Sequence, residues 1–152
     1  MNIVFQFSDT SQFLIELPND EDESIDSVLI DLCSEIGGSF DLQIDGFGQK
    51  RWPTCSDTDI ADLLTQLPGA MKSIENFSYF EILFSEQALS RRLEFYPIDK
   101  GLYKIKCLSW GDWIPDPEEE IVESHALLGS FSRMLLTFLR GIKEIDETIL
   151  KN

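Results

Sequence analysis

Between residues 77 and 108 the chain falls into three runs rich in aromatic and β-branched residues, Phe77 to Phe84, Arg91 to Ile98 and Leu102 to Leu108. Runs of this type and spacing predict a three-stranded antiparallel meander, with Asp99-Lys100-Gly101 as a tight turn between the last two. A sheet with one apolar face needs a layer over it, so the segments on either side must supply helices.

Those segments carry the helical pattern. Ile25, Val28, Leu29, Leu32, Cys33 and Ile36 recur at helical spacing and stop at Gly37-Gly38, which predicts a helix over 25–36. A capping-box pattern at Ser56-Asp57-Thr58-Asp59, followed by Ile60, Leu63, Leu64 and Leu67, predicts a short helix that Pro68-Gly69 ends. At the carboxy-terminal end, Asp116-Pro117-Glu118-Glu119 places an acid at N-cap, proline at N1 and Glu at N3. The apolar stripe beyond it, from Ile121 to Ile149, predicts one long helix, weakened at Gly129 and Gly141. At the other end, Ile3, Phe5 and Phe7 and then Phe13, Ile15 and Leu17 alternate as in a β-hairpin, and Phe40, Leu42 and Ile44 form a further strand. The expected class is α+β, an antiparallel sheet packed by two shorter helices and one long carboxy-terminal helix, in a single domain over residues 1–152. Gly46 to Cys55, GFGQKRWPTC, reads as an exposed loop.

Hydrophobic residues make up 43% of the chain and 11 of them are Phe, so disorder is excluded. A domain of this length buries roughly 68–70% of its unfolded surface and needs no staples. Cys33, Cys55 and Cys107 are odd in number and never spaced as C-x-x-C, which fits a reducing, cytoplasmic setting better than a disulfide framework or a zinc ribbon. No run approaches the ~20 apolar residues of a membrane span, because Arg133, Arg140 and Lys143 interrupt the last helix. The first residues, Met1 to Asp9, lack the basic start and apolar run of a signal peptide.

Charge excludes further classes. With 28 acids against 12 bases the formal charge is −16, the wrong sign for gripping a phosphate backbone or an anionic leaflet. The excess is uneven: residues 1–65 hold 14 acids and two bases, residues 66–152 hold 14 acids and ten bases, and no base precedes Lys50. An uneven distribution points to an acidic face, which steers a basic partner onto itself.

Chemical constellations are sparse. Asp20-Glu21-Asp22-Glu23 with Asp26 is no calcium loop, because Ile25 stands where the turn glycine belongs. Carboxylates in a first helical turn serve as caps, yet four in a row exceed that need. Asp57, Asp59 and Asp62 resemble a carboxylate metal set but have no nearby His or phosphate loop, and capping with solvation accounts for them. His125 is the sole histidine, too few for a zincin pair or for several triads, and no serine lies in a G-x-S-x-G elbow. Cys107 belongs to a buried strand, where a thiol is inert. Gly46-Phe47-Gly48 lacks the third glycine of a dinucleotide loop. No catalytic residue, metal or cofactor is expected. Two features survive: Lys50-Arg51-Trp52 in its loop, and Trp110-Gly111-Asp112-Trp113 before Pro115. Trp110 is expected to seal the helix against the sheet edge, leaving Trp52 and Trp113 as candidate anchors for a partner.

The small size, the motif-poor α+β pattern, the acidity and the Trp110-to-Glu120 segment WGDWIPDPEEE resemble the small acidic immunity proteins with which bacteria neutralise polymorphic toxins, including those of contact-dependent inhibition. That resemblance implies a cytoplasmic inhibitor of a cognate toxin domain, commonly a basic nuclease, with no direct contact to nucleic acid or membrane. It transfers no residue by position. The expected binding set is therefore Asp20, Glu21, Asp22, Glu23, Asp26, Asp57, Asp59, Asp62, Trp52 and Trp113. The alternative is an adaptor or structural subunit of a bacterial assembly that uses the long helix, and a carboxylate-dependent hydrolase ranks last.

Overall fold

Alternation and helical spacing resolve into two antiparallel sheets and three helices among the described residues, an α+β architecture. The computed structural model describes residues 1–7, 25–54, 56–85, 90–99 and 101–149. In chain order the elements are β1 (Asn2–Phe7), α1 (Ile25–Ile36), β2 (Phe40–Asp45), α2 (Ser56–Glu75), β3 (Phe80–Phe84), β4 (Arg91–Ile98), β5 (Leu102–Ser109), β6 (Glu119–Glu123) and α3 (Ser124–Ile149). A single 3-10 turn, Gly37–Ser39, joins α1 to β2.

The meander forms as the sequence predicts, and a fourth strand extends it in the order β3-β4-β5-β6. Its inner face carries Phe80, Ile82, Leu93, Phe95, Tyr103, Ile105 and Cys107, all buried. Its outer face is charged, with Arg92 paired to Glu94 at 3.3 Å, Lys104 to Glu119 at 3.1 Å and Lys106 to Glu118 at 3.1 Å. Strands β1 and β2 form a separate two-stranded sheet, in register from Asn2↔Asp45 to Phe7↔Phe40. The expected hairpin partner of β1, Phe13 to Leu17, lies outside the described residues.

Helix α2 is central, contacting α1, β2, β3 and α3. It corrects the expectation that Pro68-Gly69 ends it, because it continues to Glu75 with Pro68 inside. A mid-helix proline costs about 3 kcal/mol. The apolar stripe nevertheless runs on past it through Ala70 and Ile74, both buried, so core packing offsets the local break. The stop is supplied by a Schellman motif: Ser78 N–H donates to Ser73 C=O at 2.9 Å and Phe77 N–H to Ile74 C=O at 3.0 Å. Phe77 takes the left-handed position, at φ 50°. Tyr103, fully buried, donates its hydroxyl to the C=O of Ser73 or Ser78, at 3.2 and 3.0 Å. Strand β3 accordingly begins at Phe80, later than the apolar run suggests, because residues 77 and 78 belong to the helix stop.

The start of α3 is the second correction. Residues 119–123 form β6, not a first helical turn, and Asp116 is no N-cap. Two lysines of β5 face Glu118 and Glu119, and pairing with β6 satisfies a strand edge that would otherwise stay open. Helix α3 then starts at Ser124, whose N–H donates to Gly101 C=O at 2.8 Å. Gly141 marks where α3 touches the small sheet: a Cβ there would lie 2.7 to 2.9 Å from ring atoms of Phe40 and Phe7. Phe40 in turn stacks on Phe5 at 5.0 Å and meets Phe138 at 5.4 Å.

Candidate functional site

Arg91 opens β4 in phase with the inward-facing Leu93 and Phe95, so the strand's two-residue period drives a guanidinium into the core, where it is 4% exposed. Two loops close over it. Residues 46–54 fold back on β2 through Trp52 N–H to Ile44 C=O at 2.8 Å and Trp52 Nε1–H to Gly46 C=O at 3.2 Å. Residues 110–118 are tied to the same loop by Asp116 N–H to Phe47 C=O at 3.0 Å. The guanidinium lies over both the ring of Trp52, at 4.5 Å, and that of Trp113, at 4.6 Å. Its Nη2 donates to Gln49 Oε1 at 3.3 Å, and its Nε has no hydrogen-bond partner.

Burial pulls the Arg91 guanidinium below its ordinary value, opposed by the Cys107 thiol and the Asp59 carboxylate. The group beside it moves the other way: burial pushes the Cys107 thiol up to about 12, although Arg91 pulls it down. The adjoining cavity, lined by Trp52, Asp59 and Arg91 among others, is about 10 Å³. That is room for one water at most. Chemically this is a closed clamp joining α2, β4 and two loops, with no space for a substrate.

The raised thiol gives a stability prediction. The unfolded Cys107 ionises near its ordinary 9.0, whereas the folded thiol holds its proton to about 12. Between those values the unfolded state binds fewer protons, so stability falls as pH rises, by up to ~1.4 kcal/mol per pH unit. Urea unfolding at pH 8, 9 and 10 should show this decline, and Cys107→Ala should flatten it.

The clamp corrects the placement of two expected binding residues. Trp52 is 2% exposed and Asp59 2% exposed, so neither is available to a partner. Trp113 is half-buried against Trp52, their ring centres 5.8 Å apart. The physical reason is that an inward arginine needs aromatic faces and a carboxylate around it once water is excluded. The residue expected to be sealed, Trp110, is instead 61% exposed, with Arg92 over its ring at 5.6 Å. Asp62 is half-buried and accepts from Ser85 N–H at 2.7 Å and Ser85 Oγ at 2.8 Å, fixing the end of β3 to α2. His125 is exposed and pairs with Glu123 at 3.1 Å. Asp20, Glu21, Asp22 and Glu23 lie outside the described residues, as do the side chains of Asp26 in α1 and Asp57 in α2.

Among the described acids of the amino-terminal half, the exposed ones lie on the solvent face of α1. Asp31 and Glu35 are exposed one helical turn apart, beside Ile30 at 52% exposure. The helical spacing already places them opposite the Leu29, Leu32 and Ile36 stripe, so Glu35 was legible in the sequence. Arg91 was legible too, through its phase with Leu93 and Phe95. No helix among the described residues is long and apolar enough to cross a membrane, and none of their His, Cys, Asp and Glu side chains form a group of three or more able to hold a metal. No family model, curated protein or solved structure matches the chain.

Proposed function

We propose that this protein is a cytoplasmic, non-enzymatic inhibitor that binds a basic toxin domain, as a bacterial immunity protein does, through the acidic surface of its amino-terminal half. One observation carries the proposal: no base precedes Lys50, and α1 turns Asp31 and Glu35 to solvent beside the exposed Ile30. Exposed carboxylates and an exposed apolar side chain on one helix give a partner both steering and an apolar contact. Supporting it, Arg91 is enclosed by its own protein and offers no open site, and Cys33 and Cys107 are buried and form no disulfide among the described residues, as a reducing compartment allows.

The test uses basic toxin domains encoded beside this chain's gene, measuring inhibition and association rate together. The expected result is inhibition at equimolar protein, with an association rate that drops at least about tenfold from 50 to 500 mM salt. Asp31→Asn with Glu35→Gln should slow association further at low salt without altering the fold. An association rate indifferent to salt and to these changes, or no inhibition, defeats the proposal. The adaptor alternative draws support from Leu136 and Leu139, 51% and 54% exposed on α3.

A further inference from the structure

Residues 124–143, most of α3, contain no Asp or Glu and carry Arg133, Arg140 and Lys143, in a chain where acids outnumber bases 28 to 12. Beside this stretch lies a groove of about 470 Å³, walled by Asn2 to Gln6 of β1 and by Arg133, Leu136 and Arg140 of α3. Consecutive residues of β1, from both faces of the strand, line it. The groove therefore follows a strand edge that no strand among the described residues pairs with, and β2 holds the other one.

The arginines set this groove apart. Arg51 is paired with Asp41 and Arg92 with Glu94, and Arg91 is buried in its clamp. Arg133 donates to Ser130 Oγ at 3.1 Å, and neither Arg133 nor Arg140 has a carboxylate partner among the described residues. Two exposed guanidiniums with no carboxylate partner among the described residues form a site of positive potential, and carboxylates are repelled from most of the remaining surface.

We propose that the groove between β1 and α3 docks an extended acidic segment of a partner protein. Its backbone adds to the edge of β1, its carboxylates receive the forks of Arg133 and Arg140, and Leu136 packs against an apolar side chain between them. The spacing suits an extended ligand: seven helical residues rise about 10.5 Å, within side-chain reach of the roughly 13 Å that separates same-face residues four apart on a strand. A membrane or nucleic acid presents anionic charge as well, but over an area that would bring the whole −16 chain close to it. This docking does not depend on the acidic face of α1.

The test is a titration of the full chain, followed by amide and arginine side-chain NMR signals, with a blocked nine-residue peptide, Ser-Ser-Glu-Ser-Val-Ser-Glu-Ser-Ser, whose two Glu and Val share one face when extended. The counterpart with Lys for Glu, and phosphatidylglycerol vesicles, serve as comparisons. Saturable shifts in the amides of Asn2 to Gln6 and in the Nε signals of Arg133 and Arg140 are expected with the Glu peptide alone. Arg133→Gln with Arg140→Gln should weaken binding at least about tenfold with the melting temperature unchanged. No shift in β1, equal binding of the double variant, or equal binding of the Lys peptide overturns the proposal. It is equally overturned if vesicles alone bind through the arginines, if the chain self-associates through them, or if the free protein already protects from exchange the β1 amides that point away from β2.

Discussion

Arg91→Met should cost about 3–5 kcal/mol of folding stability, the range for removing one member of a buried charged set. The substitution keeps much of the side chain's length but takes the cation from over the rings of Trp52 and Trp113 and from beside Asp59. It also removes the hydrogen bond to Gln49. Pairing Arg91→Met with Asp59→Asn should cost less than the sum of the two single changes, by at least about 1 kcal/mol, because each single change strands the other charge. Denaturant unfolding of the four proteins measures that difference. Strict additivity would mean that Arg91 and Asp59 act independently. Trp113 fluorescence should shift toward that of a hydrated indole in the single variant, since the clamp is what holds its loop down.

Gly48→Ala should destabilise the same region from its other side, by about 3 kcal/mol or more. Gly48 has φ +81°, a conformation that residues with a Cβ rarely adopt, and a Cβ there would lie 2.0 Å from the carbonyl oxygen of Asp116. Backbone cannot yield as a flexible side chain can, so loops 46–54 and 110–118 would have to separate. Gly69→Ala is the control: nothing lies within 4 Å of its Cβ and it sits inside α2. Helix propensity then predicts a gain of up to about 1 kcal/mol. Opposite signs for the two glycines would establish that loop approach, and not loss of glycine as such, sets the cost. Equal, small effects would mean that the two loops can part without loss of stability.

Both predictions concern residues whose role emerges only when distant segments meet. Gly48 is 43 positions from Arg91 and 68 from Asp116. The acidic face divides in the same way. Asp31 and Glu35 follow from the wheel of α1, whereas Asp59 and Asp62 occupy the same kind of amphipathic helix and point elsewhere, one into the Arg91 clamp and one to Ser85. A carboxylate's position on a helix tells which way it leaves the axis, but what lies there depends on the neighbouring layer.

By itself, the sequence determined the elements whose pattern is local: α1 with its double-glycine stop, β2, and the paired strands β4 and β5 around their turn. Their periods of 3.6 and 2 are properties of single segments, and the turn residues between them need no outside partner. It also determined the charge asymmetry. The tertiary structure decided the rest. It carried α2 through Pro68 because the stripe beyond the proline was worth burying, and made a strand of residues 119–123 because two lysines and an open edge lay opposite. It also turned Trp52 inward, because the guanidinium that β4 drives into the core has to be covered. In each case a short-range preference of about 1–3 kcal/mol gave way to burial and charge pairing that only contact between distant segments supplies.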